Sequence, residues 1–150
     1  MASPRRQGRE VALQILCAVD GNSDLDAQAA LGFYAAQVAG SEDEEAGLPE
    51  QNAYDRAFTQ ALVSRATDKR EEIDRAITSV SRTWRLDRMA RVDRNILRLA
   101  VTEFLFFPDI PARVTINEAV ELAKRYGAAE SPAFVNGLLD SALRTLTLTK

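Results

Sequence analysis

Val92-Asp-Arg-Asn-Ile-Leu-Arg-Leu-Ala-Val-Thr-Glu-Phe-Leu105 is the stretch that decides the fold. Its apolar residues Val92, Ile96, Leu97, Ala100, Phe104 and Leu105 recur at three- and four-residue steps, the period of an α-helix buried along one side. Pro108 and Pro111 end it, because proline lacks the backbone N–H that would continue the ladder. Downstream, Thr115-Ile-Asn-Glu118 has the spacing of a capping box, with Thr115 expected as N-cap and Glu118 at the third helical position. The helix it opens carries Ile116, Ala119, Val120 and Ala123 and is expected to stop at Gly127. Ser131-Pro132 then starts a last helix with Phe134, Val135, Leu138, Leu139, Ala142, Leu143 and Leu146.

Upstream the same period continues. Trp84 lies in a polar, arginine-rich connection. Before it, one helix from about Asp68 presents Ile73, Ile77 and Val80, and another after Pro49 presents Tyr54, Phe58, Ala61 and Leu62. A helix from about Asp24 to Val38 carries Leu25, Phe33, Tyr34 and Val38. Ser3-Pro4 is a cap followed by proline at the first helical position. It opens a helix with the stripe Ala12, Ile15, Leu16 and Val19 that ends near Gly21. Short alternating β-branched runs are absent. The expected fold is all-α, with about seven helices in two small packed bundles that share an interface, about 1–80 and 81–150, within a single domain spanning 1–150. Residues 40–50, rich in acids and breakers, read as an acidic loop. The run Glu42–Glu45 is either solvated or a docking site for a basic partner.

The chain has 150 residues, 46% hydrophobic and 7% aromatic, the size of one globular domain. It contains no histidine, so imidazole serves neither as general base nor as metal ligand. Its single cysteine, Cys17, excludes an intrachain disulfide and a cysteine-rich zinc site, and reads as a small buried hydrophobe. The glycines form neither GxGxxG nor GxxxxGK. Glu118 and Glu121 are spaced as an acid/base pair would be, but a capping residue beside a surface charge is the simpler reading. These features predict no enzyme, no catalytic residue, no cofactor and no metal. The longest uncharged stretch, Ala27 to Ser41, is shorter than the roughly 18 apolar residues of a membrane helix. No signal peptide follows the N-terminal arginines. A cytoplasmic protein without a membrane partner is expected.

The formal charge of −3 hides three blocks: +3 over residues 1–9, −10 over 10–55, and +4 over 56–150. Sixteen of the nineteen basic residues are arginine, whose planar guanidinium suits bidentate phosphate contacts. Arg5 and Arg9 are four apart and share a helix face. Positive charge there opposes the helix dipole, which argues for a role other than helix stability. Solubility is the competing explanation. Asn136-Gly137 inside the last helix is costly locally, since glycine loses about 1 kcal/mol against alanine. Close helix packing is the expected cause, with Asn136 bonding a neighbouring backbone.

Several segments resemble the NusB family of bacterial transcription antitermination factors. They are Trp84-Arg-Leu-Asp-Arg-Met-Ala-Arg-Val-Asp-Arg-Asn-Ile-Leu-Arg-Leu-Ala-Val-Thr-Glu103, Asp109-Ile-Pro-Ala-Arg-Val-Thr-Ile-Asn-Glu-Ala-Val-Glu-Leu-Ala-Lys-Arg-Tyr-Gly127, Phe134-Val-Asn-Gly-Leu-Leu-Asp140 and Arg9-Glu-Val-Ala-Leu-Gln-Ile-Leu16. Residues 20–80 match weakly. The resemblance implies a NusB-like fold without catalysis. It also implies a complex with NusE, a small-subunit ribosomal protein. Together the two would bind single-stranded boxA-type RNA in ribosomal RNA transcripts and join other Nus factors on RNA polymerase.

Carried over residue by residue, Arg5, Arg6 and Arg9 match the family's arginine-rich RNA-binding motif, with Gln7 where a further arginine is common. Three arginine–phosphate pairs predict a slope of roughly −2 in log K against log salt, at about −0.7 per phosphate of a single strand. Tyr126 and Phe134 flank the loop 127–132 and match positions close to the RNA, where aromatic faces hold unstacked bases. For Phe134, core packing competes. Glu130 matches a position that modulates RNA binding, by accepting from base amino groups or by repelling phosphates; favouring the helix dipole is its alternative role. Ala129 and Pro132 depart from the polar residues common in that loop. Asp93 matches an acidic position near where the family meets NusE and RNA, and equally suits a helix N-terminus. NusB-like proteins occur as monomers and homodimers, so a homodimer stays open. Two other readings are an RNA-binding accessory domain related to those of ribosomal RNA methyltransferases, and a helical interaction adaptor without RNA. The Met1 start, an end soon after the last helix and the lack of a cofactor motif favour the factor itself.

Overall fold

A computed structural model describes residues 3–22, 25–30, 32 and 55–148. The described residues are helices and connections, with no strand among them, in keeping with the all-α expectation. They divide into two units, Met1–Ser64 and Arg65–Lys150. Most of the Asp24–Val38 helix, Tyr54 and the acidic loop 40–50 lie outside the described residues.

In the first unit, α1 spans Pro4–Asp20 and begins as the sequence predicts: Ser3 is the N-cap, and its Oγ accepts from the Arg6 N–H at 3.1 Å. A helical run at 27–30 is opened by Asp26, whose Oδ1 accepts from the N–H groups of Gln28 and Ala29. Helix α2, Arg56–Asp68, is opened by Asp55, whose Oδ1 accepts from the Phe58 N–H at 3.0 Å. Asp55 also donates its own N–H to the Pro4 carbonyl at 3.0 Å, joining the starts of α1 and α2. Gly8 faces Thr59 of α2. A β-carbon there would lie 2.6 Å from Thr59 Oγ1, so only glycine fits without displacement. Val11, Ala12, Leu13, Ile15, Leu16, Phe58, Leu62 and Val63 are buried. Ala61, expected on the apolar face, is exposed, and Cys17, expected buried, is only partly so.

The second unit is built on α4, Arg91–Phe106, which packs on α3 (Arg70–Val80), α5 (Ala112–Tyr126) and α6 (Ser131–Leu148). The nine residues Asn95 to Glu103 are all buried, so α4 is enclosed on every side rather than along a stripe. Polar side chains within this buried run are paired. The Arg98 guanidinium forks onto Asp74 of α3, with Nε–Oδ1 at 2.9 Å and Nη2–Oδ2 at 3.2 Å, while Nη1 donates to Asn95 Oδ1. Asn95 Nδ2 donates to the Arg91 carbonyl at 2.8 Å. This fork and the fully buried Ile73 and Ile77 tie α3 to the second unit, whose limit falls before the boundary expected near residue 80.

Two starts differ from the sequence reading. Helix α5 begins at Ala112 behind Pro111, not at Thr115. Thr115 is inside the helix, 2% exposed, and its hydroxyl donates to Glu103 Oε1 at 2.9 Å. A buried carboxylate needs donors more than an exposed helix end needs a cap, so the hydroxyl turns inward. At α6, Ser131 is already helical, and its Oγ accepts from the Ala128 N–H at 2.9 Å, closing the connection rather than capping the helix. Gly127 permits that turn, since a β-carbon would meet Ser131 Cβ and Oγ at 2.7 Å.

Asn136-Gly137 is also unlike the expectation. Both residues are exposed, and nothing lies within 4 Å of a β-carbon built on Gly137. Close helix packing does not explain this glycine.

Candidate nucleic-acid interface

The basic start of the chain is held by an aromatic ring. Arg5 and Arg9 both stack on Phe58 of α2, with guanidinium carbons 4.8 and 5.1 Å from the ring centroid. The four-residue spacing puts them on one face, as predicted, and a cation over an aromatic face offsets part of the unfavourable charge at the helix N-terminus. The two arginines differ in access. Arg5 is exposed and Arg6 half-buried, whereas Arg9 is only 4% exposed. Arg9 is therefore part of the support on which Arg5 is displayed. Phe58 was legible in the sequence only as an apolar helix residue; nothing in its spacing announced two guanidiniums.

The second unit carries the remaining candidates. Tyr126 ends α5, half-buried, with the Arg125 guanidinium 5.6 Å from its ring centroid. Glu130 is exposed in the turn that follows. Phe134, in the first turn of α6, is half-buried rather than core, and Trp84 meets it edge to face at 5.9 Å with the planes at 78°. Trp84 itself is 60% exposed. Asp93 lies in the first turn of α4, half-buried, and its Oδ1 is shielded from solvent without a hydrogen-bond partner among the described residues. The structure thus pairs Arg5 with Arg9 through Phe58, and Phe134 with Trp84. Trp84 is the residue that sequence reasoning passed over; a lone tryptophan among arginines was the available signal.

An exposed arginine stacked on a ring in one unit, and an open aromatic pair in the other, are each features found in helical binding domains for extended, charged polymers. Comparison places the chain further. The NusB family model matches residues 6–144, and the chain belongs to the NusB family. A transcription antitermination protein NusB of Geotalea daltonii is 44% identical over 146 residues, covering 96% of this chain and 97% of that protein. Among solved structures, T. maritima NusB superposes with a TM-score of 0.77 at 35% identity, over 96% of this chain and 93% of the other. A complex of antitermination factors NusB and NusE with double-stranded RNA contains a chain that superposes with a TM-score of 0.73 at 26% identity, over 93% and 96% of the two chains. Among the described residues no helix is long and apolar enough to cross a membrane.

Proposed function

We propose that this protein is a transcription antitermination factor that, together with the ribosomal protein NusE, binds the boxA element of nascent ribosomal RNA transcripts. The loaded pair joins other Nus factors on RNA polymerase. The observation that carries this reading is a family match running through nearly the whole chain, from residue 6 to 144, to proteins named for antitermination. It is supported by a fold neighbour solved with NusE and RNA. The protein acts in the cytoplasm, without catalysis, and residues 1–150 work as one RNA-binding domain.

On this reading Arg5 and Arg6 contact phosphates, and Arg9 holds Arg5 in place through Phe58. Tyr126 and Phe134 offer aromatic surface to bases, and Glu130 tunes affinity beside them. Asp93 meets NusE, where a donor from the partner would satisfy its shielded oxygen. The RNA of the solved neighbour is double-stranded; the half-buried rings here favour unpaired bases, because duplex RNA hides its base faces in the stack. Titration of a labelled boxA strand, alone and with NusE, tests the proposal. Tighter binding with NusE, and weaker binding of the same sequence as a duplex, are the expected results. No gain on adding NusE overturns it.

A further inference from the structure

Trp84 is the largest exposed apolar side chain among the described residues, and neither the fold nor the function above employs its free surface. It sits in the connection between α3 and the 3-10 turn Leu86–Arg88. An edge-to-face contact with one ring leaves most of the indole uncovered, consistent with its 60% exposure. Phe134 therefore acts as a prop that fixes the indole at the surface rather than as a lid that hides it.

Two further features lie close to this pair along the chain. Gly137 lies three residues after Phe134, on the same side of α6, and space is open beyond its α-carbon. Glycine is a poor helix former, and here no helix packs against it to explain its presence. An open glycine one turn along the helix from Phe134 leaves bare backbone that a flat ligand can approach closely. The connection also carries Arg82, Arg85 and Arg88, all exposed. Arg85 pairs only with Asp87 at 3.3 Å, both 68% exposed or more, and Arg82 and Arg88 have no ion pair among the described residues. Arg85 precedes the 3-10 turn in extended backbone and Arg88 ends it, so the two exposed guanidiniums bracket the turn.

We propose that Trp84, propped by Phe134, is a stacking platform for one unpaired RNA base, with Gly137 leaving room for the base and Arg82, Arg85 and Arg88 holding the flanking phosphates. The inference rests on the RNA-binding reading above and adds a site on the second unit to it. Single-strand binding needs these two components, π-faces for bases and cations along the backbone. A protein partner would suit the indole but leave three solvated guanidiniums unexplained.

Trp84 is the chain's sole tryptophan, so its fluorescence reports on this site alone. The full chain is titrated with single-stranded boxA RNA, reading tryptophan emission and, in parallel, the anisotropy of a labelled strand with and without NusE. Saturable quenching with the same midpoint as the anisotropy is expected, and none with the duplex. Trp84→Ala should weaken binding about 10-fold, within the range of a lost base–aromatic stack, and Trp84→Phe should restore most of it. Gly137→Leu should weaken binding similarly while the melting temperature holds or rises, an outcome that a purely structural role does not produce. Parental affinity in Trp84→Ala and Gly137→Leu, beside weakened binding in Arg5→Ala, overturns this site and leaves the RNA-binding function standing. Quenching by NusE but not by RNA overturns the choice of ligand. Failure of the parent to bind RNA even with NusE overturns both readings.

Discussion

The hydroxyl of Thr115 on α5 donates to Glu103 on α4 at 2.9 Å, with both residues at 2% exposure. The bond crosses between helices and gives a buried carboxylate a donor. Its loss leaves charge in the core with one partner fewer, at a cost of about 1–3 kcal/mol. Thr115→Val, which keeps the shape, should lower unfolding stability by that amount in urea titrations, and Thr115→Ser should recover most of it. A capping role would make the two variants differ by less, since it involves an exposed helix end.

The Arg98 fork onto Asp74 attaches α3 to the central helix, with side-chain exposures of 9% and 25%. Removing Asp74 takes the carboxylate away from a largely buried guanidinium that keeps its bond to Asn95 Oδ1. Asp74→Ala should therefore destabilise the protein by about 2–4 kcal/mol, less than a fully buried pair because water reaches the aspartate. The loss should appear as earlier hydrogen exchange in 70–80 as well as in the global denaturation midpoint.

These two pairs mark what the sequence leaves unread. Period and breakers located α1, α4 and α6, and the proline pair located the end of α4, because each depends on residues near in the chain. Which polar groups meet across helices depends on tertiary packing, so Glu103 drew Thr115 away from the cap that local spacing proposed. Arg9 is a similar case at the site: its spacing from Arg5 was legible, but its burial against Phe58 comes from a helix about fifty residues later. Trp84 stood in plain view, yet its exposure is a property of the folded surface.

The glycines of α1 and α6 separate in opposite directions. A β-carbon at Gly8 would lie 2.6 Å from Thr59 Oγ1, in a site with little room to yield. Gly8→Ala should cost about 1–3 kcal/mol by overpacking. The penalty should shrink in a Thr59→Ala background, a coupling that a double-mutant cycle measures. Gly137→Ala meets nothing within 4 Å and should stabilise the helix by about 0.5–1 kcal/mol. Thermal or chemical denaturation of the set checks both signs. A destabilised Gly137→Ala would contradict the open surface.

Arg5 and Arg9 share Phe58 but differ in access, and salt dependence tells their roles apart. An exposed guanidinium that neutralises one phosphate of a single strand contributes about −0.7 to the slope of log K against log salt. Arg5→Ala should make that slope shallower by about this amount and leave the denaturation midpoint nearly unchanged. Arg9, 4% exposed against the ring, should behave the other way. Arg9→Ala removes packing and a cation–π contact, so the midpoint should fall while the slope changes little. With Arg5 and Arg6 alone reaching phosphate from α1, that helix contributes about −1.4 rather than the −2 of three accessible arginines. Binding isotherms across a salt series, on the parent and both variants with NusE present, measure the difference. Equal slope changes in the two variants would mean that Arg9 leaves Phe58 to meet the RNA.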